Sequence, residues 1–133
     1  FKTKTMYSII TNDIKVSVIP EYDSRNSFPS ENRFVFRYNI MIENLSHEAV
    51  ILLKRHWVIH DFGFGNTEAK GNGVIGLVPE ILPGETFNYY SNVVLRSGIG
   101  HMRGKYLLKN INSLETFESY IPKFNLFTDV LKN

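Results

Sequence analysis

Residues 33–44 read RFVFRYNIMIEN, and the period of this stretch decides the fold. Phe34, Phe36, Tyr38, Ile40 and Ile42 alternate with Val35, Arg37, Asn39, Met41 and Glu43. Successive side chains of an extended chain point to opposite faces, so this pattern builds one continuous apolar face and one mixed face. That is a long, half-buried β-strand. Asn44–Glu48, NLSHE, then supplies turn residues, and AVILLKRHWVIHD (49–61) continues as a second long strand. The two are expected to pair as a hairpin. Ile51, Leu53, Trp57 and Ile59 share one parity, and Arg55 interrupts it, which predicts either a β-bulge or an arginine whose charge is met near the core.

The same period recurs on both sides of this pair. Ile14, Val16 and Val18 form one face of DIKVSVIPEY, and Pro20 marks an edge or a strand end because it donates no ladder hydrogen bond. The polar DSRNSFPSEN follows as a loop. Further on, Phe87, Tyr89, Ser91 and Val93 alternate in ETFNYYSNVVL, which is opened by LPGE. Proline at the second and glycine at the third position of that turn are the signature of type II. HMRGKYLLKN and ETFESYIPKFNLF are two more strands joined by INSL, and only FNLFTDVLKN at the end hints at helix. Short strands separated by turn signals predict an all-β sandwich or barrel.

The totals narrow the function classes. The chain has 133 residues, enough for one domain with a single core, and is 43% hydrophobic and 14% aromatic. Fifteen basic and thirteen acidic residues are interspersed, giving a net charge of +2 without the basic stripe that nucleic-acid binding needs. There is no cysteine, which excludes disulfides, cysteine-based zinc sites and a thiol nucleophile, and fits a cytoplasmic location. The longest apolar run, Ala49–Leu53, is far short of a membrane span, and no signal-peptide pattern opens the chain. Met6 is read as the natural start, with residues 1–5 added ahead of it.

KGNGVIGL (70–77) contains Gly71, Gly73 and Gly76 in the G-x-G-x-x-G spacing of dinucleotide-binding loops. That fingerprint works only where a helix begins at the loop, because the helix N-terminus holds the pyrophosphate. The following VIGLVPEILPGE is β-branched and carries Pro79 and Pro83, so no helix is expected and the glycines are read as a bend. Lys70 and Arg103, with Lys105, are the basic groups that a phosphate-bearing ligand at this loop would use. His56 and His60 share one strand face and are weak candidates for a divalent metal, lacking a third ligand of known position. Trp57 is read first as a core anchor between sheets. Arg55, His56 and Trp57 together are the candidate interaction surface, and Val35, Met41, Tyr90 and Val94 are apolar residues on mixed faces. No G-x-S-x-G elbow is present, and Glu80 and Glu85 sit in a turn-rich, solvated segment, so no enzyme activity and no cofactor are expected.

The ordered set of these pieces resembles the ApaG (CorD) family. It comprises Phe34–Asn44, the Arg55-His56-Trp57 triplet, the glycine ladder, the Pro-Gly-Glu turn, the Ser97–Tyr106 stretch SGIGHMRGKY and the closing Ile-Pro-x-Phe. The resemblance covers about residues 14–127 and implies a fibronectin type III/immunoglobulin-like β-sandwich of two antiparallel sheets. Residues 1–13 then form an N-terminal segment and 128–133 a C-terminal tail. The family includes free-standing bacterial proteins, linked to cobalt resistance and magnesium efflux, and a domain fused to F-box and other adaptor proteins. Lys70 and Asn72 stand where relatives often carry acidic residues. The resemblance implies a non-catalytic binding or adaptor module with an unidentified protein partner, and no membrane or nucleic-acid partner. The alternative is a sensor of a phosphate-bearing small ligand or a cation.

Overall fold

The computed structural model describes residues 4–128. Nine strands run in order: β1 (Tyr7–Thr11), β2 (Ile14–Tyr22), β3 (Phe34–Asn44), β4 (Val50–Asp61), β5 (Gly65–Asn72), β6 (Glu80–Ile81), β7 (Thr86–Leu95), β8 (Ile99–Asn110) and β9 (Thr116–Phe127). Every pairing between them is antiparallel. One sheet has the order β1-β2-β3-β7, and the other β5-β4-β8-β9 with β6 added beside β4. The all-β sandwich of two antiparallel sheets follows from the alternation: Ile14, Val16, Val18, Phe36, Tyr38, Ile40 and Ile42 all turn into the core.

Two local expectations are corrected. First, β3 and β4 are not a hairpin; they belong to opposite sheets. Their apolar faces are turned toward each other, with the Tyr38 and Trp57 rings edge-on at 5.5 Å, so the chain must cross between layers at 45–49. Asn44, fully buried, fixes that crossing. Its amide nitrogen donates to the carbonyls of Glu48 (2.8 Å) and Ile81 (2.9 Å), and its oxygen accepts from the Ser46 amide and hydroxyl. A buried polar side chain this fully satisfied stabilises one connection over others.

Second, the bulge in β4 lies at Leu53, where the register against β8 shifts between Leu52 and Lys54. Val50 and Leu52 are buried before it, and Arg55, Trp57 and Ile59 share the inward parity after it. Leu53 therefore does not belong to the inward set. The extra residue inverts the parity and brings Arg55 inside.

The N-terminal segment contributes β1, paired to β2 from Tyr7 to Thr11. Pro20 lies beyond the reach of β1, so its missing N–H faces no partner strand while its other side pairs with Tyr38. The DSRNSFPSEN loop contains two short 3-10 turns, at Ser24–Asn26 and Pro29–Glu31. LPGE is the expected type II turn, with the Glu85 amide donating to the Leu82 carbonyl at 2.9 Å and Gly84 at φ +81°. The stretch expected to hint at helix is strand through Phe127, and Thr128 is buried. The rest of the tail and residues 1–3 lie outside the described residues. No helix among the described residues is long and apolar enough to cross a membrane.

Candidate functional site

Of the sequence-derived candidates, Gly71, Gly73, Gly76, Lys70, Arg55 and His56 lie at the edge of the second sheet, where β5 ends, the chain turns and β6 begins. The turn is built from the glycine ladder. Val74 and Leu77 exchange both backbone hydrogen bonds at 2.8 Å, leaving Ile75 (φ +45°) and Gly76 (φ +76°) between them. Two central residues at positive φ define a type I′ turn. Gly73, at φ +58°, has its amide on the Leu53 carbonyl at 2.7 Å, so the bulge and the turn lock together. A Cβ on Gly73 would stand 1.8 Å from the Leu77 carbonyl oxygen. No helix follows, and the amides of Gly73, Val74 and Leu77 are all committed to carbonyls of the chain itself.

Gly71 has a different reason. It lies opposite Arg55 across the β4–β5 ladder, and the Arg55 guanidinium rests on it. A Cβ there would meet Nη2, Cζ and Nη1 at 2.7–2.8 Å. From that position Arg55 Nη1 donates to the carbonyls of Asn72 and Gly73, both at 3.0 Å. The arginine is thus held by strand carbonyls rather than by a carboxylate.

Inside the sandwich Arg55 faces a tyrosine cluster. The hydroxyls of Tyr89 and Tyr106 are 2.5 Å apart, and Tyr38 sits across the β3–β7 ladder from Ser91. Burial pushes all three tyrosines above the ordinary phenol value, strongly for Tyr106; the nearby Arg55 charge opposes the rise at each. These phenols stay protonated and act as hydrogen-bonding groups. Trp57 is 4% exposed, packed edge-on against Tyr38 and Phe124. It anchors the core as expected, and burial withdraws it from the proposed interaction surface.

The opposite face of the same sheet carries the histidines and lysines. Lys54, His56, Lys70, Lys105 and Glu118 line a shallow recess of about 430 Å³ beside Gly71 and Asn72. His56 has Lys70 on one flanking strand and Lys105 on the other. Lys105 pairs with Glu118 at 2.9 Å, and the hydrogen bond to that carboxylate, together with its charge, raises the lysine's pKa. His56 Nε2 makes no hydrogen bond and stands 3.6 Å from the Glu68 carboxylate. Arg103 lies outside this recess, paired in register with Val58.

His56 and His60 do share a face, but four residues of extended chain separate them by roughly 13 Å. They cannot ligate one ion, whose bonds to nitrogen are about 2.0–2.1 Å. His60 instead stacks on His101, its register partner on β8, with ring centroids 4.7 Å apart, and its Nδ1 is 2.7 Å from the Asn66 side-chain oxygen. Burial lowers the His101 pKa, and the charges of Lys123, His60 and Arg103 lower it further. The strand alternation holds the signal for this pair, but only once the β4–β8 register is known. Among the described residues no group of three or more His, Asp or Glu side chains converges as a metal site.

The family model of the ApaG domain matches residues 24–110, which takes in β3 to β8 and the whole of this edge. The chain belongs to the ApaG family. Similar ApaG proteins include that of Mesorhizobium japonicum, 43% identical over 121 residues, covering 91% of this chain and 92% of the relative. Protein ApaG of Shewanella sediminis is 40% identical over 117 residues, covering 88% and 92%. Among solved structures, the putative ApaA protein from Bordetella pertussis superposes with a TM-score of 0.84 at 38% identity, covering 88% of this chain and 94% of that one. The ApaG sandwich is therefore the frame in which the glycine ladder, Arg55 and the basic recess are to be understood.

Proposed function

We propose that this ApaG sandwich is a non-catalytic binding module whose protein partner docks on the edge of the second sheet, over residues 73–82, the ladder turn and the short strand β6. One observation carries this reading. Ile75, Leu77, Val78 and Leu82 are 55%, 50%, 50% and 45% exposed within eight residues of chain. Single exposed apolar side chains are ordinary, whereas a cluster on one loop marks an interaction surface. The loop is also rigid enough to be recognised, since the Gly73–Leu53 and Val74–Leu77 hydrogen bonds hold it against the bulge of β4. The adjoining edge strand β5 carries Glu68 and Lys70, charges that discourage indiscriminate strand addition. Contact through the loop side chains is the better fit. The basic recess beside it, with Lys54 and Lys70, favours a partner with acidic residues next to its apolar contact. On this reading the family's link to cobalt and magnesium runs through the partner rather than through a metal held on the sandwich.

The test is site-specific photocrosslinking in cells. A photoreactive residue at Leu77 should give a discrete adduct that is lost on Val78→Asp, while the same probe at exposed Glu31 should not give it. Identical adducts at both positions, or none at Leu77, would refute the reading.

A further inference from the structure

A second feature of this edge lies inside the sandwich and concerns a small molecule. Between the two sheets, behind the 74–77 turn, is an open cleft of about 270 Å³. Tyr38, Tyr89 and Ser91 line it from one sheet, Arg55 and Trp57 from the other, and Ile75 forms its lip. Arg55 is the one cation among the described residues that line it.

The guanidinium is half-buried and incompletely used. Both of its hydrogen bonds come from Nη1, leaving Nε and Nη2 without an acceptor among the described residues. It has no carboxylate partner among those residues either; the ion pairs there involve Lys4, Arg37, His56 and Lys105. Nε and Nη2 stay open to water, and their free hydrogens form a planar fork that matches a carboxylate. The Tyr38 and Ser91 hydroxyls, hydrogen-bonded to each other across the strands, together add one free donor on the same side of the cleft.

The lip is strained. Ile75 is β-branched and sits at φ +45°, in the turn position that Asn, Asp or Gly normally fills. Strain of this kind persists where the surroundings hold it, and such places cluster at ligand sites. Here it holds an apolar side chain across the mouth of the cleft.

We propose that this cleft binds small organic carboxylates, with Arg55 and the Tyr38 and Ser91 hydroxyls holding the carboxylate and Trp57 and Ile75 enclosing an apolar body. A single cation matches a monoanion better than a phosphate dianion. The volume, below the roughly 300–1,000 Å³ usual for drug-sized ligands, limits the body to about one ring. The site is distinct from a phosphate cradle on the glycine ladder, where the Gly73, Val74 and Leu77 amides are committed to carbonyls of the chain itself. It also goes beyond docking of a protein on the outer loop and does not depend on it.

Trp57 is the only tryptophan in the chain, so its fluorescence reports the cleft directly. Titration with phenylacetate should give a saturable change at millimolar concentrations or below. The neutral isostere phenylacetamide should bind at least tenfold more weakly, and inorganic phosphate should give no saturable change. Arg55→Met should weaken phenylacetate at least tenfold. Tyr38→Phe, which keeps the ring and the fold, should weaken it several-fold. Equal binding of phenylacetamide, equal response to phosphate, an unchanged affinity in Tyr38→Phe, or no saturation by phenylacetate would each overturn the proposal.

Discussion

Replacing Gly71 by alanine separates two effects of opposite sign, and Arg55 decides which one prevails. Gly71 has no positive φ, so alanine suits its backbone, and the lost flexibility of the unfolded chain should stabilise the protein by about 0.5 kcal/mol. The new Cβ, however, would lie within 2.7–2.8 Å of the Arg55 guanidinium, which must move off the strand. Moving it breaks the hydrogen bonds from Nη1 to Asn72 and Gly73. Hydrogen bonds to a charged group are worth about 1.5–3 kcal/mol when fully shielded, and the pair shares one nitrogen at a half-exposed site, so a joint loss of about 2 kcal/mol is expected. Gly71→Ala should therefore destabilise the protein by about 1.5 kcal/mol. In an Arg55→Ala background nothing is displaced, and the same substitution should stabilise by about 0.5 kcal/mol. The coupling between the two sites is then about 2 kcal/mol. Urea unfolding of the four proteins measures it through the midpoint at constant slope. Equal effects of Gly71→Ala in both backgrounds, within about 0.5 kcal/mol, would refute the claim that the glycine exists to seat the arginine.

The turn and the histidine pair give three further expectations. Gly73→Ala forces a Cβ to within 1.8 Å of the Leu77 carbonyl at φ +58°, and should cost about 3 kcal/mol or more in urea unfolding; a loss under about 0.5 kcal/mol would show that the turn relaxes freely. Ile75→Asn places a residue that tolerates positive φ at φ +45° and should stabilise by about 1 kcal/mol, since more than half of the isoleucine is exposed and little packing is lost. A drop in thermal midpoint would instead mean that its contacts at the cleft outweigh its strain. For His101, burial and then the charges of Lys123, His60 and Arg103 hold the imidazole below its ordinary value of 6.5, so the unfolded chain takes up the proton first as pH falls. This contribution is full above that value and is lost as pH descends through the lowered folded pKa. His101→Asn should flatten the decline in thermal midpoint below neutrality, and parallel profiles for the two proteins would contradict the assignment.

The alternation in 33–44 carried the fold, because a half-buried strand cannot hide its period, and Tyr38, Ile40 and Ile42 are buried as that period requires. Pairing was less legible. NLSHE has the composition of a hairpin turn, yet Asn44 spends its whole amide on a crossing between layers, a use that depends on the Ile81 carbonyl from a distant segment. Composition cannot distinguish a turn that returns a strand to its own sheet from one that passes it to the other. The bulge was visible as broken parity, but its position was not, since Ile51, Leu52 and Leu53 are interchangeable in hydrophobicity and only the β8 register singles out Leu53. Arg55 was legible as an inward charge needing carbonyls or a carboxylate. Its tyrosine neighbours were not, because Tyr89 and Tyr106 come from different sheets.

The glycine spacing now has an account that needs no nucleotide. Gly71 leaves room for the Arg55 guanidinium, Gly73 for the Leu77 carbonyl, and Gly76 supplies the second positive φ of the turn. These are three separate steric demands, and none requires a phosphate. In a dinucleotide loop the amides behind the glycines are free and point at the ligand; here those of Gly73 and Val74 close the loop on itself. What the ladder does leave unspent is the arginine it seats. Asn72 and Gly73 occupy only Nη1, so Nε and Nη2 keep hydrogens with no protein acceptor among the described residues. In the proposal above, anion chemistry at this motif falls to a side chain between the sheets rather than to backbone amides on the loop. Arg55→Met should weaken anion binding at least tenfold while leaving the ladder's turn in place, whereas a loop-amide site would keep its ligand.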